Sequence, residues 1–118
     1  QPSLGRAGGS WEMKKMAAIA ETFNAQVAPH LYAGPIEWAA NIHLGVSIPN
    51  FLIAETIETE FHKNLIASSI TVENGYIAAP SQSGLGIEVN EALARAHPYT
   101  GTKLHLEMSP LPNAYQSQ

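Results

Sequence analysis

Between Ser10 and Glu55 the chain alternates helix, strand, helix, strand, with connections so short that each element must pack beside the next. "SWEMKKMAAIAETFN" places Met13, Met16, Ala17, Ala20 and Phe23 at three- and four-residue steps, the spacing of one helical face. Ser10 suits the cap of this helix, Glu12 lies in the first turn where the helix dipole favours an acid, and Asn24 suits a left-handed stop. "AQVAP" then reads as a short buried strand, with His30 immediately past its C-terminal end. Gly34 and Pro35 supply the cap and first position of a second helix, "PIEWAANIHLGVS", whose Ile36, Ala39, Ala40, His43 and Leu44 share a face. Pro49-Asn50 ends it, and "FLIAE" is a second short apolar strand closing on Glu55.

Such an order predicts an α/β fold, a parallel sheet built from right-handed βα units. In these sheets the strands fill the core while side chains at their C-terminal ends converge on a crevice. His30 and Glu55 both occupy that place. The residues alone leave two readings of His30 open: a catalytic group at the mouth of the scaffold, or an ordinary loop histidine, which is the commoner fate of a histidine after a strand.

The remainder changes character. "SITVENGYIAAP" alternates around Asn74-Gly75 and predicts a hairpin with a type I′ turn. "SQSGLGIEVNEALARAHP" is a glycine-containing loop leading into a short helix that ends near His97-Pro98, and a polar, proline-bearing tail follows. "SGLG" is a weak phosphate-loop signal, because no Lys-Ser/Thr follows it and its spacing matches neither the nucleotide-binding nor the dinucleotide-binding pattern. The expected organisation is one incomplete structural domain, with βα units over 1–66 and the hairpin, glycine loop, short helix and tail over 67–118.

At 118 residues and 45% hydrophobic, the chain can bury one core. A net charge of −4 and six scattered Lys plus Arg provide no basic stripe, which argues against nucleic acid and anionic membranes as partners. The absence of cysteine removes disulfides and thiolate metal sites, and makes a cytoplasmic location the expectation. No apolar run approaches the roughly 18 residues of a membrane span. The opening "QPSLGRAGGS" is neither a signal peptide nor an initiation site, so a chain cut from something longer is expected.

Several dispersed motifs, "QPSLGRAGG", "EMKKMAAIAE", "VAPHLYAGPIEWAANIHL", "IPNFLIAET", "NGYIAAP" and "GLGIEVNE", agree in order and spacing over nearly all of residues 1–97. Together they resemble the C-terminal third of the mandelate racemase and acid-sugar dehydratase branch of the enolase superfamily, closest to the galactonate-type dehydratases. The resemblance implies the last βα units of a modified TIM barrel, followed by a hairpin and loop that would pack on an α+β capping domain. It implies abstraction of the proton α to a carboxylate held on Mg²⁺, then loss of the 3-hydroxyl, with a sugar acid as substrate. Carried over by position, His30 would be the general base or acid at the end of the seventh strand. Glu55, at the end of the eighth, would hydrogen-bond a substrate carboxylate oxygen. Ser3 stands where the family's Gln-Pro-Asp places the Asp that orients the histidine. A serine can orient an imidazole but brings no charge, and in another His-carboxylate system loss of that charge cost on the order of 10⁴ in turnover.

A complete barrel needs about 250 residues, and the resemblance puts the strands bearing the Mg²⁺ ligands upstream of Gln1, so no metal ligand is expected in this chain. Glu58 and His62 stand four apart, as a metal pair could, but more often such residues form a solvated face. His43 is expected on the helix surface or in a packing layer, Trp11 and Trp38 in packing, and His97 and His105 without assigned roles. Two classes remain open at this level. One is a segment of a dehydratase, or of a racemase or cycloisomerase of the same superfamily, inactive when isolated and homo-oligomeric. The other is a non-catalytic fragment that folds by self-association.

Overall fold

The computed structural model describes residues 1–57, 59–68 and 70–99. Helix α1 (Ser10–Thr22) and helix α2 (Pro35–Ser47) pack on each other. They sandwich a core of Leu4, Met13, Ala17, Val27, Ala40, Leu44 and Ile48, onto which Phe51 and Leu85 fold. Met13, Ala17 and Ala20 form the inward stripe of α1, one residue per turn. Met16 and Phe23, expected on that face, lie outside it: Met16 is displaced from the stripe and Phe23 is the cap residue beyond the last turn, 78% exposed. Trp11, expected to pack, is 75% exposed on the first turn. The N-terminal cap is Gly9 rather than Ser10. Gly9 adopts φ 92, and its carbonyl accepts the Met13 amide at 3.1 Å, which leaves Ser10 as the first helical residue. Asn24 takes the left-handed conformation, φ 55, as its position predicts.

Three segments lie side by side and parallel. Ser3 bridges His30, and Val27 bridges Phe51. The His30 amide donates to the Pro2 carbonyl at 3.1 Å, the Val27 amide to the Asn50 carbonyl at 2.8 Å, and the Leu52 amide to the Val27 carbonyl at 2.9 Å. The order and direction are those the βα alternation predicts. The strands themselves contract to single bridges, and Leu52 and Ile53 are exposed, because no further described segment covers the 51–55 side. Asn50 locks the junction: its Nδ2 donates to the carbonyls of Ala17 and Ala25, at 3.0 and 2.9 Å.

Past Glu55 comes a short helix α3 (Glu60–Leu65), then β1 (Ile66–Ser68), β2 (Val72–Glu73), β3 (Tyr76–Ile77), β4 (Ile87–Val89) and α4 (Glu91–Ala96). The Asn74-Gly75 hairpin joins β2 to β3, and both turn residues have positive φ, 51 and 80, as a type I′ turn requires. Around it, β1 pairs antiparallel with β4, a pairing absent from the sequence expectation. Phe61 meets His97 edge-on at 5.2 Å, tying α3 to the end of α4. Among the described residues no helix is long and apolar enough to cross a membrane.

Candidate active site

Because the three segments run in one direction, their C-terminal ends gather at one edge: Ser3 to Gly5, His30 and Leu31, and Glu55. His30 and Glu55 are in contact, with Nδ1 at 2.9 Å from Oε2. The same carboxylate oxygen accepts the Leu31 amide at 2.6 Å. That backbone hydrogen bond is the main reason the Glu55 carboxyl is held below its ordinary range. Partial desolvation opposes the lowering and the His30 ring adds to it. An ionised carboxylate can only accept, so the contact places a proton on Nδ1, and in the neutral ring the lone pair then lies on Nε2. The pair is open to solvent, with side chains 43% and 30% exposed.

Ser3 lies beside His30 through its backbone, yet its hydroxyl proton is directed elsewhere. It donates to Glu37 Oε1 at 3.0 Å. The orienting contact on His30 comes from Glu55, not from the Ser3 hydroxyl. Glu37 escapes sequence reasoning because an acid at the third position of a helix reads as ordinary dipole stabilisation. Only the fold brings it back across 34 residues to Ser3.

The other candidates do not join this cluster. His62 Nδ1 contacts the Ile57 carbonyl at 3.2 Å, and its amide is capped by Thr59. Its proposed companion Glu58 lies outside the described residues, as does His105. His97 Nδ1 contacts the Leu93 carbonyl at 3.0 Å. His43 is half-buried on α2, where its Nε2, the Trp38 Nε1 and both polar atoms of Asn41 are buried without a hydrogen-bond partner. Among the described residues no three of His, Cys, Asp and Glu converge as a metal site, so these side chains do not fit Mg²⁺. Two clefts flank α2, one beside Trp38 and His62 and one beside Gly5 and Glu37, and neither is lined by His30 or Glu55.

Parallel βα units with a histidine-carboxylate pair at adjacent strand ends define an α/β scaffold. The chain belongs to the enolase C-terminal domain-like family, whose profile matches residues 1–93. It is 69% identical to a mandelate racemase/muconate lactonizing enzyme from Sulfitobacter sp., with a TM-score of 0.87 over 95% of this chain and 28% of that one. A D-galactonate dehydratase family member of Streptomyces bingchenggensis is 35% identical over 97 residues, 79% of this chain and 23% of the relative. An enolase from Pantoea ananatis, solved with bound D-gluconate and Mg, is 34% identical with a TM-score of 0.74, covering 83% of this chain and 24% of that one. The chain therefore spans about a quarter of the length of the curated relatives it matches.

Proposed function

We propose that the polypeptide containing this chain is a sugar-acid dehydratase, and that this chain contributes the last βα units of its barrel and the proton-transfer group. The observation that carries the proposal is the contact of His30 Nδ1 with Glu55 Oε2 at the strand ends. The relative named a D-galactonate dehydratase family member and the solved enolase with bound D-gluconate support the substrate class.

In this reading Nε2 of His30 takes the proton α to the substrate carboxylate, breaking the C2–H bond. Glu55 then lies against the positive charge the ring has gained, and holds the ring in place while it acts. The imidazolium returns a proton to the departing 3-hydroxyl, which leaves as water. The resulting enol becomes a 2-keto-3-deoxy acid by proton transfer to C3. Glu55 thus serves as the orienting carboxylate for His30. The Leu31 amide and the His30 ring, which hold the Glu55 carboxyl below its ordinary range, favour that orienting role. No step is assigned to a metal ion, since the described side chains form no site for one.

The test is incubation of the full-length polypeptide with D-galactonate, D-gluconate and other sugar acids in the presence of Mg²⁺, followed by product analysis. Formation of a 2-keto-3-deoxy acid is the expected result. An epimer of the substrate as the only product would make the protein a racemase, and no conversion of any sugar acid would contradict the proposal.

A further inference from the structure

We infer that Glu37 is a positioning residue for His30, acting through Ser3 and Gly5; the inference rests on the role given to His30 above. Glu37 Oε1 accepts both the Ser3 hydroxyl and the Gly5 amide, each at 3.0 Å. The carboxylate presses so closely on Gly5 that a Cβ there would stand 2.5 Å from Oε2. Two donors and one missing side chain therefore form a cradle for this carboxylate. On its other side the same strand end is registered against His30: Ser3 bridges it, and the His30 amide donates to the Pro2 carbonyl. The segment 2–5 is thus held between α2 and the backbone that carries His30.

This arrangement has a consequence in charge. Position 3 donates to a group that can only accept, so an acid at that position would bring two carboxylates into contact. Positions 3 and 37 are in direct contact, so a carboxyl at position 3 that took the place of the Ser3 hydroxyl would lose the donor and crowd Glu37. The described residues lining the groove around Glu37, among them Leu4, Ala33, Pro35, Ala40 and Leu65, bring no second titratable group; on the far side of Ser3 the titratable groups are His30, which it bridges, and Glu55 against the ring.

Ser3→Asp, Glu37→Gln, Glu37→Ala and the Ser3→Asp/Glu37→Gln pair are compared in the full-length polypeptide by thermal melting from pH 4 to 8 and by the NMR signal of the His30 ring. Crowded carboxyls have raised pKa values in the folded state, so their penalty is absent when both are protonated and grows as pH rises through the ordinary carboxylate range. Ser3→Asp is expected to lower the melting temperature by about 2–4 °C at pH 8, with a deficit that shrinks toward pH 4 and is largely removed by adding Glu37→Gln. Glu37→Ala is expected to displace the His30 ring signal, and Glu37→Gln, which keeps the acceptor, to displace it less. A Ser3→Asp deficit that is constant with pH and untouched by Glu37→Gln, or a His30 signal indifferent to Glu37→Ala, would overturn the inference. Neither readout requires turnover, so these results are separate from the success or failure of the dehydratase assay.

Discussion

The Leu31 amide is the largest single influence holding the Glu55 carboxyl below its ordinary range. A hydrogen bond at 2.6 Å to the ionised oxygen favours the carboxylate, and His30 reinforces it. A carboxyl whose folded pKa lies below its unfolded value stabilises the fold above the ordinary carboxylate range, and that contribution is lost as pH falls through the folded value. The melting temperature of the native protein should therefore exceed that of Glu55→Gln by a constant margin near neutrality, and the margin should shrink below about pH 4. A margin independent of pH down to acid unfolding would show that the charge of Glu55 is not what the site uses. The placement of His30 and Glu55 was legible in the sequence because each follows a short apolar run. Their contact was not, since a shared carboxylate oxygen between Nδ1 and the Leu31 amide depends on strand register. Glu37 was invisible for the same reason, its partners lying 32 and 34 residues away.

Asn50 shows how an element boundary can hold several elements together. Its carbonyl accepts the Val27 amide while its side chain donates to Ala17 and Ala25, so the entry to the 51–55 segment is tied to α1 and to the neighbouring segment. Asn50→Ala removes both side-chain bonds and should cost about 1–3 kcal/mol in denaturant unfolding; an unchanged midpoint would mean the two carbonyls are satisfied by water. The helices and the Asn74-Gly75 hairpin could be read locally, because Pro35, Asn24 and the turn pair impose backbone conformations on their own neighbours. The β1 and β4 pairing could not. Its strands are three residues each, and the pairing depends on the 18-residue excursion over 69–86, which local pattern does not encode. The segments 25–29 and 51–55 reverse the lesson: composition marks them as buried strands, but their pairing contracts to the single Val27–Phe51 bridge, held by the Val27 and Leu52 amides.

At the scale of the molecule, the core is real but one-sided. Leu52, Ile53, Trp11 and Phe23 are each more than half exposed, and the His30 and Glu55 pair stands at an open surface outside both clefts. This 118-residue chain expressed alone should therefore self-associate, giving a light-scattering mass above that of one chain; a stable monomer would show that these side chains need no cover. In the proposed dehydratase, His30 moves the proton on the α carbon. The direct measurement is NMR of D-galactonate and D-gluconate incubated in D₂O with the full-length protein and its His30→Asn variant. The native protein should convert substrate to a deuterated 2-keto-3-deoxy acid or exchange the C2 proton, and His30→Asn should reduce both by about 10²–10⁴-fold while retaining the native melting temperature. Conversion or exchange by the variant at the native rate would contradict the assignment of His30 and the mechanism built on it.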